Sequence, residues 1–435
     1  MSSLRNNIVK FLSKIDYDVT RPNLDLHDYH PQIRILLLSN GVFFNNTDSK
    51  LRFVWPFLSC FIAVVAVAFE LMFVIHGIMV EDYAFSSECF CYLIMVVCIP
   101  IVYLSVLFRR NTVIAVVNAM AADFEYICNH LGPSYKITFL EGQLLIWKLC
   151  FAWLAFTIFI GSSFALSPLG FLLYQSLFAT QHEYMVRPLM FPMWLPEDDP
   201  YRTPNYEIFT LLDILLITFF IQTFCVYMYM QFHILIHYIY IMEMIIMDFK
   251  VIFEGLDPSV TKLNKHDPRR MKTQGILNSR MKRIVEWHNS VYKAVESVST
   301  LYGPPLAYQI MISAILICVI AYQVAETLDE GKINVLFSML LVASIVQLFI
   351  PCYLGTKIQN KNYEVGEACW DCGWHESSLG ILLRSDIVTV IMRTQKPLTI
   401  KFTGLPKVQL ETFSSVMSSA YSYFNMLRQY SANIK

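Results

Sequence analysis

His233 and His237 stand four residues apart in an apolar, aromatic stretch, so on a helix both imidazoles share one face. Two histidines at that spacing are half of a zinc or iron site, which needs three or four ligands. No second histidine pair or carboxylate box accompanies them, so no metal is expected. Cys369-Trp370-Asp371-Cys372 has the C-x-x-C form of a redox or zinc half-site. Neither a second pair nor a thioredoxin-like setting answers it, and a structural role is the expectation. Glu70, His76 and Asp213 fall in or beside long apolar runs. Ionisable groups there are functional candidates by default, with an interhelical hydrogen bond as the plainer use. None of these residues builds an acid–base or nucleophilic constellation, so no enzyme and no cofactor are expected.

The last stretch offers different chemistry. Ser415, Ser418, Ser419, Ser422, Asn425 and Gln429 recur at steps of one to four, which places hydroxyls and amides along one side of a helix. In lipid such a stripe either bonds to neighbouring helices, the commoner use of serine, or lines water. Met426 and Tyr430, beside Gln429, could supply the apolar constriction that polar pores use as a gate.

The elements that must position these groups are membrane helices. Hydrophobic residues make up 56% of 435 positions and charged residues 15%, too few charges for a water-facing surface. A span needs about 20 apolar residues, and six runs supply them: Val54–Val80, Cys89–Phe108, Leu144–Leu166, Phe209–Met230, Pro305–Val324 and Val335–Leu354. A seventh, Phe413–Leu427, is shorter and more polar. The expected fold is an all-α membrane protein of seven transmembrane helices. Its expected parts are 1–53, a cytoplasmic N-terminal segment; 54–354, a six-helix ligand-binding region; 355–409, a cytoplasmic segment; and 410–430, the last helix. No cleaved signal is expected in the first 35 residues.

With the N-terminus inside and the C-terminus outside, 27 of the 33 Lys and Arg fall in cytoplasmic segments and only 3 in the outer loops. The net charge of −1 gives no reason to expect nucleic acid. Six of the eleven cysteines, Cys60, Cys98, Cys150, Cys225, Cys318 and Cys352, lie in apolar runs and act as small hydrophobes. The 109–143 link is amphipathic, through Val113, Ala115, Val116, Met120, Phe124 and Ile127, and is expected to extend the second and third helices. Prolines Pro192, Pro196, Pro200 and Pro204 predict an ordered, non-helical lid over 167–208. The apolar repeat Ile284, Val285, Val291, Tyr292, Val295 predicts a helix continuing below the membrane. Trp370, Trp374, Ile381, Leu382, Leu383, Ile387 and Ile391 make 355–409 too apolar for a tail, which predicts packing against helices or other subunits.

The C-terminal motifs Glu367-Ala368-Cys369-Trp370-Asp371-Cys372-Gly373-Trp374, Ile391-Met392-Arg393-Thr394-Gln395-Lys396-Pro397-Leu398, Leu410-Glu411-Thr412-Phe413 and Ser422-Tyr423-Phe424-Asn425-Met426-Leu427 resemble the signature of insect odorant receptors. The sharp motifs cover about the last 70 residues; the rest is similar in hydropathy and loop lengths. The resemblance implies an odorant-gated, non-selective cation channel in the plasma membrane of olfactory sensory neurons, a heterotetramer with a co-receptor. It also implies that the last helix lines the pore, with the gate pattern on Met426, Gln429 and Tyr430, and that Trp370 and Trp374 lie in an intersubunit anchor. The 248–302 link is too short for the co-receptor's enlarged loop, which implies a ligand-tuning subunit. Arg428 departs from the co-receptor's apolar residue and is placed on the outer rim.

The rival within the superfamily is a gustatory receptor binding a tastant, since Ser422-Tyr423 followed by Gln429-Tyr430 is a variant of that family's ending. A G-protein-coupled receptor would have its N-terminus outside; the sequon Asn45-Asn46-Thr47 would then be glycosylated. The expected odorant contacts, from the outer halves of the spans, are Phe90, Tyr92, Leu93, Phe159, Ser162, Ser163, Phe209, Asp213, Leu216, Tyr322 and Phe337. With no cation among them, an alcohol, ester or terpenoid is expected rather than an acid. Membrane lipid and permeant cations complete the expected partners.

Overall fold

The computed structural model describes residues 24–42, 54–178, 187–196, 198–329, 331–401 and 406–434. The sequon at Asn45 lies outside them. Among the described residues the structure is helical apart from turns and one isolated bridge. Two short helices, α1 (Leu26–Tyr29) and α2 (Pro31–Ser39), precede α3 (Val54–Met79) and α4 (Tyr83–Phe108). Next come α5 (Arg110–His130), α6 (Pro133–Phe178), α7 (Asn205–Lys250), α8 (Pro268–Asp329), α9 (Val335–Trp370), α10 (Arg384–Thr394) and α11 (Leu410–Ile434). Six of them, α3, α4, α6, α7, α8 and α9, are long and apolar enough to cross a membrane. At 25 residues α11 has the length, but its serines keep it below the apolarity of the other six.

The boundaries follow local chemistry. The chain reverses after α3 through Glu81, at φ 63°, and Asp82 caps α4 by accepting from the Phe85 amide at 3.0 Å. Asn334 caps α9 in the same way through Phe337, at 3.1 Å. Arg280 donates to the carbonyls of Val251, Ile252 and Glu254 at 2.7–3.0 Å, closing the open end of α7. Part of the basic 269–283 cluster therefore serves as a structural clamp.

With the 187–204 connection taken as the top, α3 packs along α4, α6 along α7, and α8 is flanked by α4, α9 and α11. The 62 residues of α8 reach about 90 Å, three times a bilayer core of roughly 30 Å. Its lower part therefore continues beyond the membrane into a second packed layer. There α7 is buried almost continuously from Thr223 to Phe249, which an amphipathic surface helix cannot be; α5, α6, α8 and α9 pack around it.

Several expectations change. The 109–143 link is not an extension of α4: the chain breaks at Arg109, and α5 stands alone, with Ala115 exposed, until extended Leu131 leads into α6. Proline does not clear helix from 167 onward, because α6 continues through Pro168 to Phe178. The 355–409 segment is not one helical repeat: α9 ends at Trp370, and a 3-10 turn, Ser378–Leu382, precedes α10. The last helix is longer than Phe413–Leu427.

The middle of α9 is shaped by two residues. Pro351 lies inside the helix and has no N–H for the carbonyl four residues earlier, that of Gln347. The Gln309 side chain of α8 supplies the missing donor at 2.8 Å. Lower down, a Cβ on Gly355 would sit 2.0 Å from the Val408 carbonyl, so only glycine lets the strand-like 406–409 link lie against α9. The Thr356 hydroxyl accepts the Leu410 amide at 2.9 Å and fixes the start of α11.

Candidate functional site

A cavity of about 140 Å³ lies in the upper bundle between α4, α6, α7, α8 and α9. Its upper end is made by Tyr92, Phe164, Leu216 and Leu340, closed by Phe191 from the loop. Its floor is Trp153, Phe224, Tyr227, Tyr308, Gln309 and Gln347. Gly161 also lines it; a Cβ there would meet the end of the Ile221 side chain at 2.1 Å, which would have to shift.

The polar atoms of the wall are mostly satisfied by the protein. Tyr308 donates to the Ile94 carbonyl at 2.8 Å, Thr157 to the Trp153 carbonyl at 2.9 Å and Ser344 to the Leu340 carbonyl at 2.9 Å. The Trp153 indole donates to the Phe224 carbonyl, and Tyr227 to the Gln309 side-chain oxygen at 3.2 Å. Ser313 and Gln347 are further polar residues of the wall. The wall thus offers mainly dispersion with few polar groups, which suits an apolar molecule with a single polar group.

Of the expected contacts, Tyr92 and Leu216 line this cavity. Phe337 stacks edge-on behind Tyr92 at 6.0 Å, and Phe90 packs in the same upper cluster. Leu93 is half-buried. Phe209 is buried with Phe73, Cys89 and Met193. Phe159 and Ser162 are exposed on the outside of α6, and Ser163 bonds back to the Phe159 carbonyl. Tyr322 lies near Arg428 of α11 rather than in the cavity. Asp213 is fully buried beneath the loop, outside the lining. The cavity reaches from the loop down to below the outer halves of the spans. The overlooked residues had a signal, since Tyr308, Ile312 and Leu316, with Gln309 and Ser313, recur every four residues along α8.

The last helix turns its small apolar residues Val416 and Ala420 inward. Ser415, Ser418, Ser422, Met426, Gln429 and Tyr430 are exposed and Asn425 half-buried, so this face points away from the chain's own bundle. Ser419, by contrast, is half-buried and bonds to the Ser415 carbonyl. Arg428 pairs with Asp329 at the top of α8. At the bottom Trp370 is exposed and Trp374 half-buried, 5.9 Å apart edge to face. Leu383 and Ile387 are buried within the chain itself, whereas Ile381 and Met392 are exposed.

The metal-like pairs are absorbed by packing. His237 shares hydrogen bonds with Gln143 at 3.2 Å and Asp123 at 3.4 Å, and Gln143 with His30 at 3.0 Å. The His233 ring packs edge-on against His30 at 4.5 Å. Among the described residues no three His, Cys, Asp or Glu converge as a metal requires. Cys369 is fully buried, and burial pushes the Cys372 thiol up, away from the thiolate that reactive chemistry needs.

Known proteins share this arrangement. Odorant receptor 67c of Drosophila melanogaster is 31% identical over 145 residues, 33% of this chain and 35% of that protein. The odorant receptor coreceptor of Anopheles gambiae is 27% identical over 158 residues, 36% of this chain and 33% of that one. These matches span about a third of the length of the curated relatives. The insect olfactory receptor OR5 of Machilis hrabei superposes with a TM-score of 0.74 at 18% identity, covering 93% of this chain and 98% of that one; it is also solved in complex with eugenol. That likeness establishes the multi-pass helical fold. The family model described as 7tm Odorant receptor matches residues 91–421, and since that stretch holds the whole cavity-bearing core, the chain belongs to the 7tm odorant receptor family.

Proposed function

We propose that this chain is the ligand-tuning subunit of an odorant-gated, non-selective cation channel, with its N-terminus in the cytoplasm and its C-terminus outside. It works in the plasma membrane of olfactory sensory neurons as a heterotetramer with a co-receptor. The observation that carries the reading is the largely apolar cavity, with Ser313 and Gln347 among the few polar residues of its wall. Its volume is comparable to the ~150 Å³ apolar cavity that takes up benzene. A small alcohol, ester or terpenoid fits it, each buried methylene contributing about 0.8 kcal/mol. The eugenol complex of OR5 supports the same ligand class.

The polar face of α11 supports conduction. It points away from its own bundle, and hydroxyls and amides facing hydrocarbon are costly; water or the matching face of another subunit removes that cost. Trp370, Ile381 and Met392 are exposed apolar residues of the lower layer and form the intersubunit anchor.

The test is expression of this chain in non-neuronal cells with and without an insect odorant co-receptor, against a panel of neutral volatiles. Odour-evoked cation current is expected only with the co-receptor. It should vanish when Ile217→Trp fills the cavity while the channel still reaches the surface. Robust current from this chain alone would overturn the tuning-subunit assignment.

A further inference from the structure

The loop over the cavity is held at several points. Trp194 stacks on His76 of α3 at 3.7 Å, and Met193 is buried with Phe73, Cys89 and Phe209. Tyr206 donates to the Pro188 carbonyl at 3.3 Å, and the Arg187 guanidinium lies 5.6 Å over the Tyr206 ring. Between these anchors Phe191 projects downward, 4.7 Å edge-on from Tyr92, and becomes the cavity's upper wall.

Beneath the same turn lies Asp213 of α7, fully buried, with neither carboxylate oxygen in a hydrogen bond of full geometry among the described residues. The backbone amides of Met190 and Phe191 face it. A carboxylate buried in apolar surroundings needs such donors. Backbone amides are the donors a loop can bring without a cationic side chain. Glu70 of α3 is buried within electrostatic range of Asp213 and also has an unpaired oxygen, so it supplies no balancing charge.

We infer that Asp213 is a positioning residue that holds the Met190–Phe191 amides, and through them keeps the Phe191 ring in the cavity roof, where Phe191 sets the length of molecule admitted. Ligand size is then selected by a loop side chain, while the transmembrane walls contribute the bulk of the affinity. This rests on the cavity being the ligand site, but its test does not depend on odorant gating.

Cys98 lines the cavity wall on α4 and is free, so it reports access without any known odorant. The full chain, in membranes with the co-receptor, is exposed to neutral alkyl methanethiosulfonates from methyl to octyl. Modification of Cys98 and of Cys372, a control in the lower layer, is read by peptide mass spectrometry. Slow modification of Cys98, confined to short alkyl groups, is expected for the native chain. Phe191→Ala and Asp213→Ala should each raise the rate for the longer reagents by about tenfold or more, with Cys372 unchanged. Asp213→Asn, which keeps an acceptor for the amides, should stay near the native rate. The double variant Phe191→Ala/Asp213→Ala should be no faster than Phe191→Ala, because Asp213 acts through that ring. If Asp213→Ala does not reach the membrane, Asp213→Ser takes its place in the same comparison. Rates unchanged by Phe191→Ala, additive effects in the double variant, or a parallel rise at Cys372 would overturn the inference. Loss of odour response in Ile217→Trp is a separate result, bearing on the cavity alone.

Discussion

Two ion pairs of the same chemistry should differ sharply in what their removal does. Asp248 of α7 takes three donors: Arg283 Nε at 2.8 Å, Arg283 Nη2 at 2.5 Å and the Tyr135 hydroxyl at 2.6 Å. Its carboxylate is 2% exposed and the guanidinium 30%. Asp329 and Arg428 also form a pair, but at 50% and 37% exposure. Removing one member of a buried pair costs about 3–5 kcal/mol, because the other charge stays desolvated. Arg283 remains partly wet and keeps its position over the Tyr135 and Trp287 rings, so the lower end, about 3 kcal/mol, applies to Asp248→Ala. The exposed pair contributes about 0–1 kcal/mol. In detergent, Asp248→Ala should lower the melting midpoint, followed by fluorescence-detected size exclusion, by roughly 5 °C or more, and Asp329→Ala by about 2 °C or less. Adding Arg283→Ala to Asp248→Ala should restore part of the loss, since no orphan charge remains. Equal shifts for the two aspartates, or no recovery in the double variant, would refute the argument from burial.

A cysteine scan of 410–430 with a charged thiol reagent applied from outside during stimulation should label Ser415, Ser418, Ser422, Met426 and Gln429 positions and spare Val416 and Ala420; labelling without that period would mean α11 is packing and not pore. Trp370→Ala, at an exposed site, should reduce co-assembly on native gels while leaving the melting midpoint unchanged; Trp374→Ala, half-buried, should lower the midpoint instead. Gln309→Leu leaves the Gln347 carbonyl and the Tyr227 hydroxyl without partners, at about 1–3 kcal/mol for each buried group. Its melting midpoint should fall even with a better-filled cavity, and a rise would show that the carbonyl opened by Pro351 finds another donor.

Hydropathy was enough to locate the six apolar spans, because a helix that faces lipid must be apolar along its whole crossing. It failed where burial came from protein rather than lipid. Residues 231–249 of α7 lie past the apolar run Phe209–Met230, yet His233, His237 and Asp248 lie in the core of the lower layer, His237 and Asp248 hydrogen-bonded to partners far away in sequence and His233 packed against the His30 ring. The continuation of α6 to Phe178 lies past Pro168, which removes one backbone donor without ending the helix. The stripe on α11 was legible because one face alone carried the polar residues. The cavity was not. A cavity is what neighbouring helices leave unfilled, and no single helix encodes it; Tyr92 and Leu216 were found, whereas Tyr308, Gln309 and Gln347 required knowing how α8 and α9 face each other.

Pro351 takes one rung out of the hydrogen-bond ladder of α9, and a side chain of the neighbouring helix, Gln309, puts a donor back at the Gln347 carbonyl. Gln347 and Gln309 both belong to the floor of the cavity. About 6 Å below Pro351, Gly355 and Thr356 form the socket into which the root of α11 is fitted. The cavity floor and the seat of the last helix are thus joined through one stretch of α9, and the rung that bridges them is a side chain that lines the cavity.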